Sequence, residues 1–258
     1  MTKCKLCLVE RPLVKSHIIP EFMYKWSGLY DEKHRILIVK KTKDAAEFQQ
    51  IQKGVRERLL CKDCEGKIAK WERYAKRVIH EPGRLKKASL PHQPIVLFKP
   101  IDYKTFKLFL LSMLWRMSVS TLEYFSRVSL GTHHEERTRR MIFEKNPGNE
   151  DDYGCFITSV IFDTGDFATN EALRTFMLLP ARVRAHGHIS YTVFIGGFFY
   201  CFVVSKHRIP AEIKALFLNK SNQLRVLVER AENIPRIAES LSDFKRDIQL
   251  WKRKRGHS

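Results

Sequence analysis

Two pairs of cysteines, Cys4-x-x-Cys7 and Cys61-x-x-Cys64, carry the most specific chemistry in the chain. Each CxxC turn can present two sulfurs to one ion, and zinc prefers four tetrahedral thiolates. Two more cysteines, Cys155 and Cys201, stand alone in apolar stretches and read as small hydrophobes. The N-terminus, MTKCKLC, lacks the apolar stretch of a secretory signal. The chain is therefore expected to be cytoplasmic, where thiols stay reduced. In that compartment the two pairs read as one structural zinc site rather than two disulfides. The competing reading is four reduced cysteines buried by packing, but two close pairs seldom arise that way. Such a zinc site pins structure and carries no activity of its own.

Between the pairs stands His17-Ile18-Ile19-Pro20, and Glu65 directly follows the second pair. Taken with the cysteines, this string resembles the HNH, or His-Me finger, nucleases, in the branch whose ββα fold is pinned by two CxxC pairs. The resemblance covers residues 1–80, and His17 to Pro20, Cys4, Cys7, Cys61 and Cys64 are the positions that match. It implies metal-assisted hydrolysis of phosphodiesters. His17 then takes the place of the family's general base, and one magnesium or manganese ion stabilises charge on the phosphate. A neutral imidazole with a pKa near 6.5 suits proton abstraction at neutral pH.

Two positions depart from the family pattern. Ser16 stands where the family places an Asp or His ligand, and Glu65 where it places His or Asn. A serine hydroxyl is a poor ligand for a hard cation, whereas glutamate is a good one. Glu72 lies two helical turns beyond Glu65 and so shares its face. Glu65 and Glu72 are thus the candidate ligands for the catalytic ion. The alternatives are a structural imidazole at 17 and two glutamates salt-bridged to nearby Lys and Arg. The family's middle Asn has no clear counterpart, although an Arg in Val55–Leu60 could contact phosphate. Lys62, Lys67, Lys70, Arg73, Lys76 and Arg77 line the polar side of the same helix. They are a solvated face, or, beside such a site, contacts to a nucleic-acid backbone that position without reading sequence. Tyr24, Trp26, Trp71 and Tyr74 either stack on bases or, as is commoner, pack this small domain.

The elements that must position these groups follow from periodicity. His34–Lys40 is β-rich and reads as a strand, and residues 41–55 are polar and undecided. From Lys62 to His80, Ile68, Trp71, Ala75 and Val78 recur three and four apart, giving a helix that Glu81-Pro82-Gly83 stops. Residues 84–101 hold Pro91, Pro94 and Pro100 and are expected as a linker or strap. A helix apolar almost all round is expected from Asp102 to Phe125, then a charged helix from Thr132 to Lys145 and a loop over Asn146–Asp152. Strands are expected at Tyr153–Phe162, Thr175–Ala185, Tyr191–Ile195, Phe198–Val204 and Leu224–Glu229, with Gly196-Gly197 as a hairpin turn. His133-His134 and Glu135-Glu136 read as a solvated helix start, and His186-Gly187-His188 as a turn. The stripe from Ile234 to Trp251 reads as a helix docked on the core, and Trp251–Arg255 is a short basic tail. The expected fold class is α+β: a zinc-pinned ββα domain over 1–83, then a helix and antiparallel-sheet domain over 102–258.

Charge decides the partner class. The 258 residues carry 47 Lys+Arg against 28 Asp+Glu, a net +19. Residues 1–100 hold 23 basic and 11 acidic groups, or +12, against +7 for the remainder. This favours a polyanion, with the first 100 residues facing it. The longest apolar run, Val193–Val204, has twelve residues, and a spanning helix needs roughly 20, so no membrane role is expected. The first expectation is therefore a zinc-stabilised endonuclease, with DNA favoured over RNA as substrate, in bacterial restriction or phage defence. Its second half would serve targeting, homodimerisation or a partner protein. Two alternatives stay open: a non-catalytic zinc-knuckle nucleic-acid-binding protein, and a protein-interaction adaptor.

Overall fold

The computed structural model describes residues 2–30, 32–33, 35–41, 46–80, 86–89, 94–162, 173–175, 177–185, 187–204 and 208–240. It is a mixed α+β structure. Strand β1 (Leu13–His17) leads through the short helix α1 (Glu21–Trp26) to β2 (Arg35–Lys41) and β3 (Ala46–Gln52), which pair antiparallel. Strand β4 (Arg56–Cys61) then returns antiparallel to β1 and runs directly into helix α2 (Lys62–His80). The undecided polar stretch thus holds half of a hairpin.

Helix α2 forms as its stripe requires. Cys64, Ile68, Trp71, Ala75 and Val78 are its buried residues, and Asp63 and Glu65 lie in its first turn, where they favour the positive end of the helix dipole. The stretch expected as a linker instead supplies β5 (Lys86–Ser89) and β6 (Ile95–Lys99). The correction has a simple cause. Pro94 and Pro100 bracket β6 rather than interrupt it, and Ile95 to Phe98 is an apolar run that can enter a sheet.

Helix α3 (Tyr103–Val119) starts at an Asp102 cap, whose carboxylate accepts from the Thr105 backbone N–H at 3.2 Å. Its last residue is Val119, six residues short of the expected end at Phe125, and Ser120 is its C-cap. Glu57 on β4 takes the Ser120 hydroxyl at 2.6 Å and the Thr121 hydroxyl at 2.7 Å. Side-chain bonds at Ser and Thr compete with helix continuation, and here they stop it. A single 3-10 turn at Glu123–Phe125 follows, then helix α4 (Gly131–Phe143), close to its expected place.

The second half closes with β7 (Cys155–Ile161), β8 (Met177–Ala185), β9 (His188–Ile195), β10 (Phe198–Val204), a one-turn helix α5 (Ala211–Lys214) and β11 (Leu224–Arg230). Strands β5 to β11 form one seven-stranded sheet in the order β5-β6-β11-β7-β10-β9-β8. All neighbours are antiparallel except β11 and β7, which run parallel. Gly196 and Gly197 both have positive φ (63° and 78°), as a two-residue hairpin between β9 and β10 demands.

One core joins both halves. A continuous cluster runs from Cys4 and Leu6 through α2 and α3 to Ile157, Tyr200 and Phe202 of the sheet, so packing does not stop at residue 83. Alternation along β9 explains how the sheet is covered on both sides. Val193 and Ile195 face this core, while Phe194 faces a second cluster with Ala231 and Ile237. Ile237 lies in the helical stretch 235–240, so the start of the expected C-terminal helix docks on the sheet; residues 241–258, with the basic tail, lie outside the described residues. Among the described residues no helix is long and apolar enough to cross a membrane.

Candidate metal centre and the adjoining His17 site

The cysteine centre is assembled by two elements far apart in sequence. The N-terminal knuckle supplies Cys4 and Cys7. The end of β4 and the first turn of α2 supply Cys61 and Cys64. The four sulfurs lie within 4.8 Å of one another, and Cys7 Sγ is 4.0 Å from Cys61 Sγ. With zinc–sulfur bonds of about 2.3 Å, tetrahedral sulfurs sit about 4 Å apart, so the donor set fits zinc.

Backbone bonds hold the knuckle in place. Lys5 N–H donates to Leu59 O at 3.0 Å, and Cys61 N–H donates to Cys4 Sγ at 3.3 Å. Leu8, directly after Cys7, takes a positive φ of 61° to close the turn. Burial, and then the neighbouring sulfurs, push the Cys64 thiol up. Thiolates this close cannot all carry charge without a cation between them, which is the electrostatic reason such a cluster could hold a metal ion. Among the described residues it is the one group of three or more Cys, His or carboxylate donors within such reach.

His17 ends β1 and lies opposite Arg56 of β4 in the register. Its Nε2–H donates to Lys53 O at 2.9 Å. A carbonyl only accepts, so the neutral ring carries its proton on Nε2 and a lone pair on Nδ1. The accepting carbonyl sits in a tight turn at Lys53 (φ 59°) and Gly54 (φ 69°). A Cβ at Gly54 would come within 3.0 Å of Tyr30 and 3.1 Å of the Tyr24 ring, so the turn depends on glycine. Burial, the largest cause, and then Arg56 hold the imidazole pKa below its usual value, against the Lys53 bond and the acidic neighbours Glu21 and Glu72.

The two glutamates flank this histidine with partners already in place. Ser16 Oγ, fully buried, donates to Glu65 Oε2 at 2.6 Å. Burial, its largest perturbation, raises the Glu65 pKa, with Glu72 adding to it and Ser16 and Arg116 opposing. Glu72 Oε1 accepts from Arg116 NH2 at 2.6 Å. Arg116 comes from α3, is wholly buried, and also donates to the His17 carbonyl at 2.6 Å and to Ser112 O at 3.2 Å. One guanidinium therefore fixes both the backbone of His17 and the carboxylate of Glu72. Its fork geometry suits three acceptors where a lysine would not.

The basic face of α2 is placed outward. Lys62, Lys70, Arg73, Lys76 and Arg77 are exposed, while Lys67 is half-buried with its ammonium over Phe143. The aromatic residues pack rather than present free faces. Tyr24 and Trp71 are buried, the Tyr74 hydroxyl accepts from the Asp102 N–H, and Trp26 is stacked by His80 at 4.2 Å with the Arg174 guanidinium also over its ring. His133 is exposed at the start of α4, but His134 turns inward to Tyr153 OH at 2.9 Å. Cys155 and Cys201 are buried in strands, with burial pushing both thiols up, the second to about 12.

Arg116 was not singled out from sequence. Its signal was nonetheless present: only Lys107 and Arg116 carry charge within the apolar stretch Phe106–Met117, and a buried charge must have partners. Comparison with family models, with curated proteins and with solved structures finds no match.

Proposed function

We propose that the protein is a zinc-stabilised, HNH-like endonuclease that hydrolyses phosphodiester bonds of nucleic acid, DNA before RNA. The carrying observation is the orientation of His17. At the end of β1, beside β4 and α2, its Nε2–H is committed to the Lys53 carbonyl, which leaves Nδ1 to accept a proton.

In this reading Nδ1 of His17 takes a proton from water as the water oxygen bonds to phosphorus and the bond to the leaving ester oxygen breaks. The low pKa keeps the ring neutral and receptive at pH 7. The Lys53 carbonyl then favours the imidazolium that forms. Arg116 holds the His17 main chain and neutralises Glu72, and Arg56 stands across the ladder where a phosphate would be met. The exposed cations of α2 align the backbone of the substrate by charge.

In this reading Glu65 and Glu72 are the candidate ligands of a magnesium or manganese ion. Glu65 is a desolvated carboxyl with one hydroxyl partner, and such ions take one or two carboxylates together with substrate phosphate oxygens. Glu65, with the second oxygen of Glu72, would hold it, and it would supply Lewis-acid stabilisation of the phosphate charge.

The test is incubation of the purified protein with supercoiled plasmid, and separately with single-stranded RNA, in magnesium, manganese and chelator. Metal-dependent nicking or linearisation is expected. A second reading rests on the partners that Glu65 and Glu72 already have: a non-catalytic zinc-knuckle nucleic-acid-binding protein. It predicts salt-sensitive binding with no cleavage in any metal.

A further inference from the structure

A cavity of about 580 Å³ lies in the second half of the chain, away from both sites described above. Its floor is the edge of the seven-stranded sheet. Arg182 and Arg184, two apart on edge strand β8, project to one face and pair in register with Tyr191 and Ile189 of β9. All four line the cavity.

Its wall is the loop that enters α4. Leu130 and Gly131 line it, together with His134 one turn further on. The Tyr191 hydroxyl donates to the Ser129 carbonyl and so fastens this wall to the floor. No side chain caps the start of α4, and its first turn holds no acidic residue. Among the described residues none that lines the cavity is acidic. The nearest carboxylate in sequence, Glu135, accepts from Ser118 Oγ at 2.5 Å. Among the described residues neither arginine is paired with a carboxylate. The cavity thus combines two exposed guanidinium forks with the half-buried apolar side chain of Ile189, while Tyr191 is buried and reaches the wall through its hydroxyl.

We propose that this cavity binds a phosphate-bearing nucleotide, free or as the 5′-phosphorylated end of a strand. Arg182 and Arg184 take the phosphate, because planar forks match its oxygens two at a time. The α4 N-terminus, whose Leu130 and Gly131 line the cavity, adds its partial positive charge to the field. Ile189 lies under the nucleoside. The volume lies within the range of small-molecule sites and suits a mononucleotide. The proposal does not rest on the nuclease reading, since none of its residues belongs to the His17 site.

The test is calorimetric titration of the full chain with ATP, AMP and adenosine, and with a short single-stranded oligonucleotide bearing a 5′-phosphate or a 5′-hydroxyl. Saturable binding that needs the phosphate is expected. Saturation by ATP or AMP assigns a free nucleotide, and saturation by the 5′-phosphorylated oligonucleotide alone assigns a strand end. R182A/R184A, at exposed edge positions, should keep its unfolding midpoint and lose about tenfold or more in affinity. K62A/K70A on α2 should bind these probes like the wild type. Absence of saturable binding by every probe would overturn the proposal. So would unchanged affinity in R182A/R184A, or an equal loss in K62A/K70A, which would reduce the effect to attraction by net charge.

Discussion

His17 shows how much one hydrogen bond decides. The Lys53 carbonyl assigns the ring its tautomer, and burial lowers its pKa. A base of depressed pKa works above that value and fails once protonated below it. The rate of any cleavage should therefore hold through neutral pH and fall only beneath pH 6.5 as the solution is acidified, which a pH–rate profile at fixed metal would read. A profile with its acid limb above 6.5 would contradict the geometry. The four-cysteine cluster was legible because residue type and spacing alone define a metal-binding set, whereas His17 stood out only through the family resemblance. The roles of Ser16 and Arg116 were not legible. Ser16 reads in sequence as a missing ligand, yet its hydroxyl donates to Glu65, and only the β1–α2 contact shows it.

At the scale of elements, four cysteines bring the knuckle to the β4–α2 junction, and a zinc ion held there would tie the two together. Among the described residues the knuckle's other anchors include Lys5 N–H to Leu59 O, Cys61 N–H to Cys4 Sγ, the Arg11–Asp63 ion pair and Arg139 of α4 to Leu6 O at 2.6 Å. The wild type should carry about one zinc per chain, and C64S should lose it together with a large fall in unfolding temperature, since binding energy at such sites is folding energy. Metal analysis beside thermal denaturation checks both. A second prediction concerns the α1–α2 contact, where His80 stacks on Trp26. Burial first, then Lys76 and Arg174, lowers the His80 pKa to about 4. Because the folded value lies below the unfolded one, this contact contributes fully above pH 6.5 and is lost progressively as pH falls towards 4. H80F, which keeps a ring in the stack, should flatten that part of the stability profile. Helix ends and the strands at 86–89 and 95–99 were the poorly legible elements. The Ser120 stop depends on Glu57 from another strand, and prolines at a strand's ends look in sequence like prolines in a linker.

For the whole molecule, α3 is the bridge. Lys107 and Arg116 lie nine residues apart, half a turn out of phase, and so face opposite sides of the buried helix. Lys107 donates to the carbonyls of Glu150 at 3.1 Å and Tyr153 at 3.3 Å, which anchors the α4–β7 loop; Arg116 reaches the His17 site. The two halves, separable by composition, are thus one packed unit. R116M should destabilise the whole chain by about 3 kcal/mol, because it leaves Glu72 and the His17 carbonyl without their buried partner. R116M/E72Q should recover part of that loss, and a double-mutant cycle by denaturant titration measures the coupling. Additive effects would mean that the pair does not join the halves. The charge asymmetry that singled out the first 100 residues is consistent with the exposed cations of α2, whereas the cavity between β8 and α4 had no sequence signature, since it requires strand register to form.

The central claim is that His17 is the base of a metal-dependent nuclease. The most direct test compares wild type and H17A on supercoiled plasmid in magnesium and manganese, with zinc content and unfolding temperature measured on the same preparations. The account predicts nicking or linearisation by the wild type and none by H17A, with zinc and folding retained. Cleavage by H17A at the wild-type rate, or none by the wild type in either metal, would contradict it.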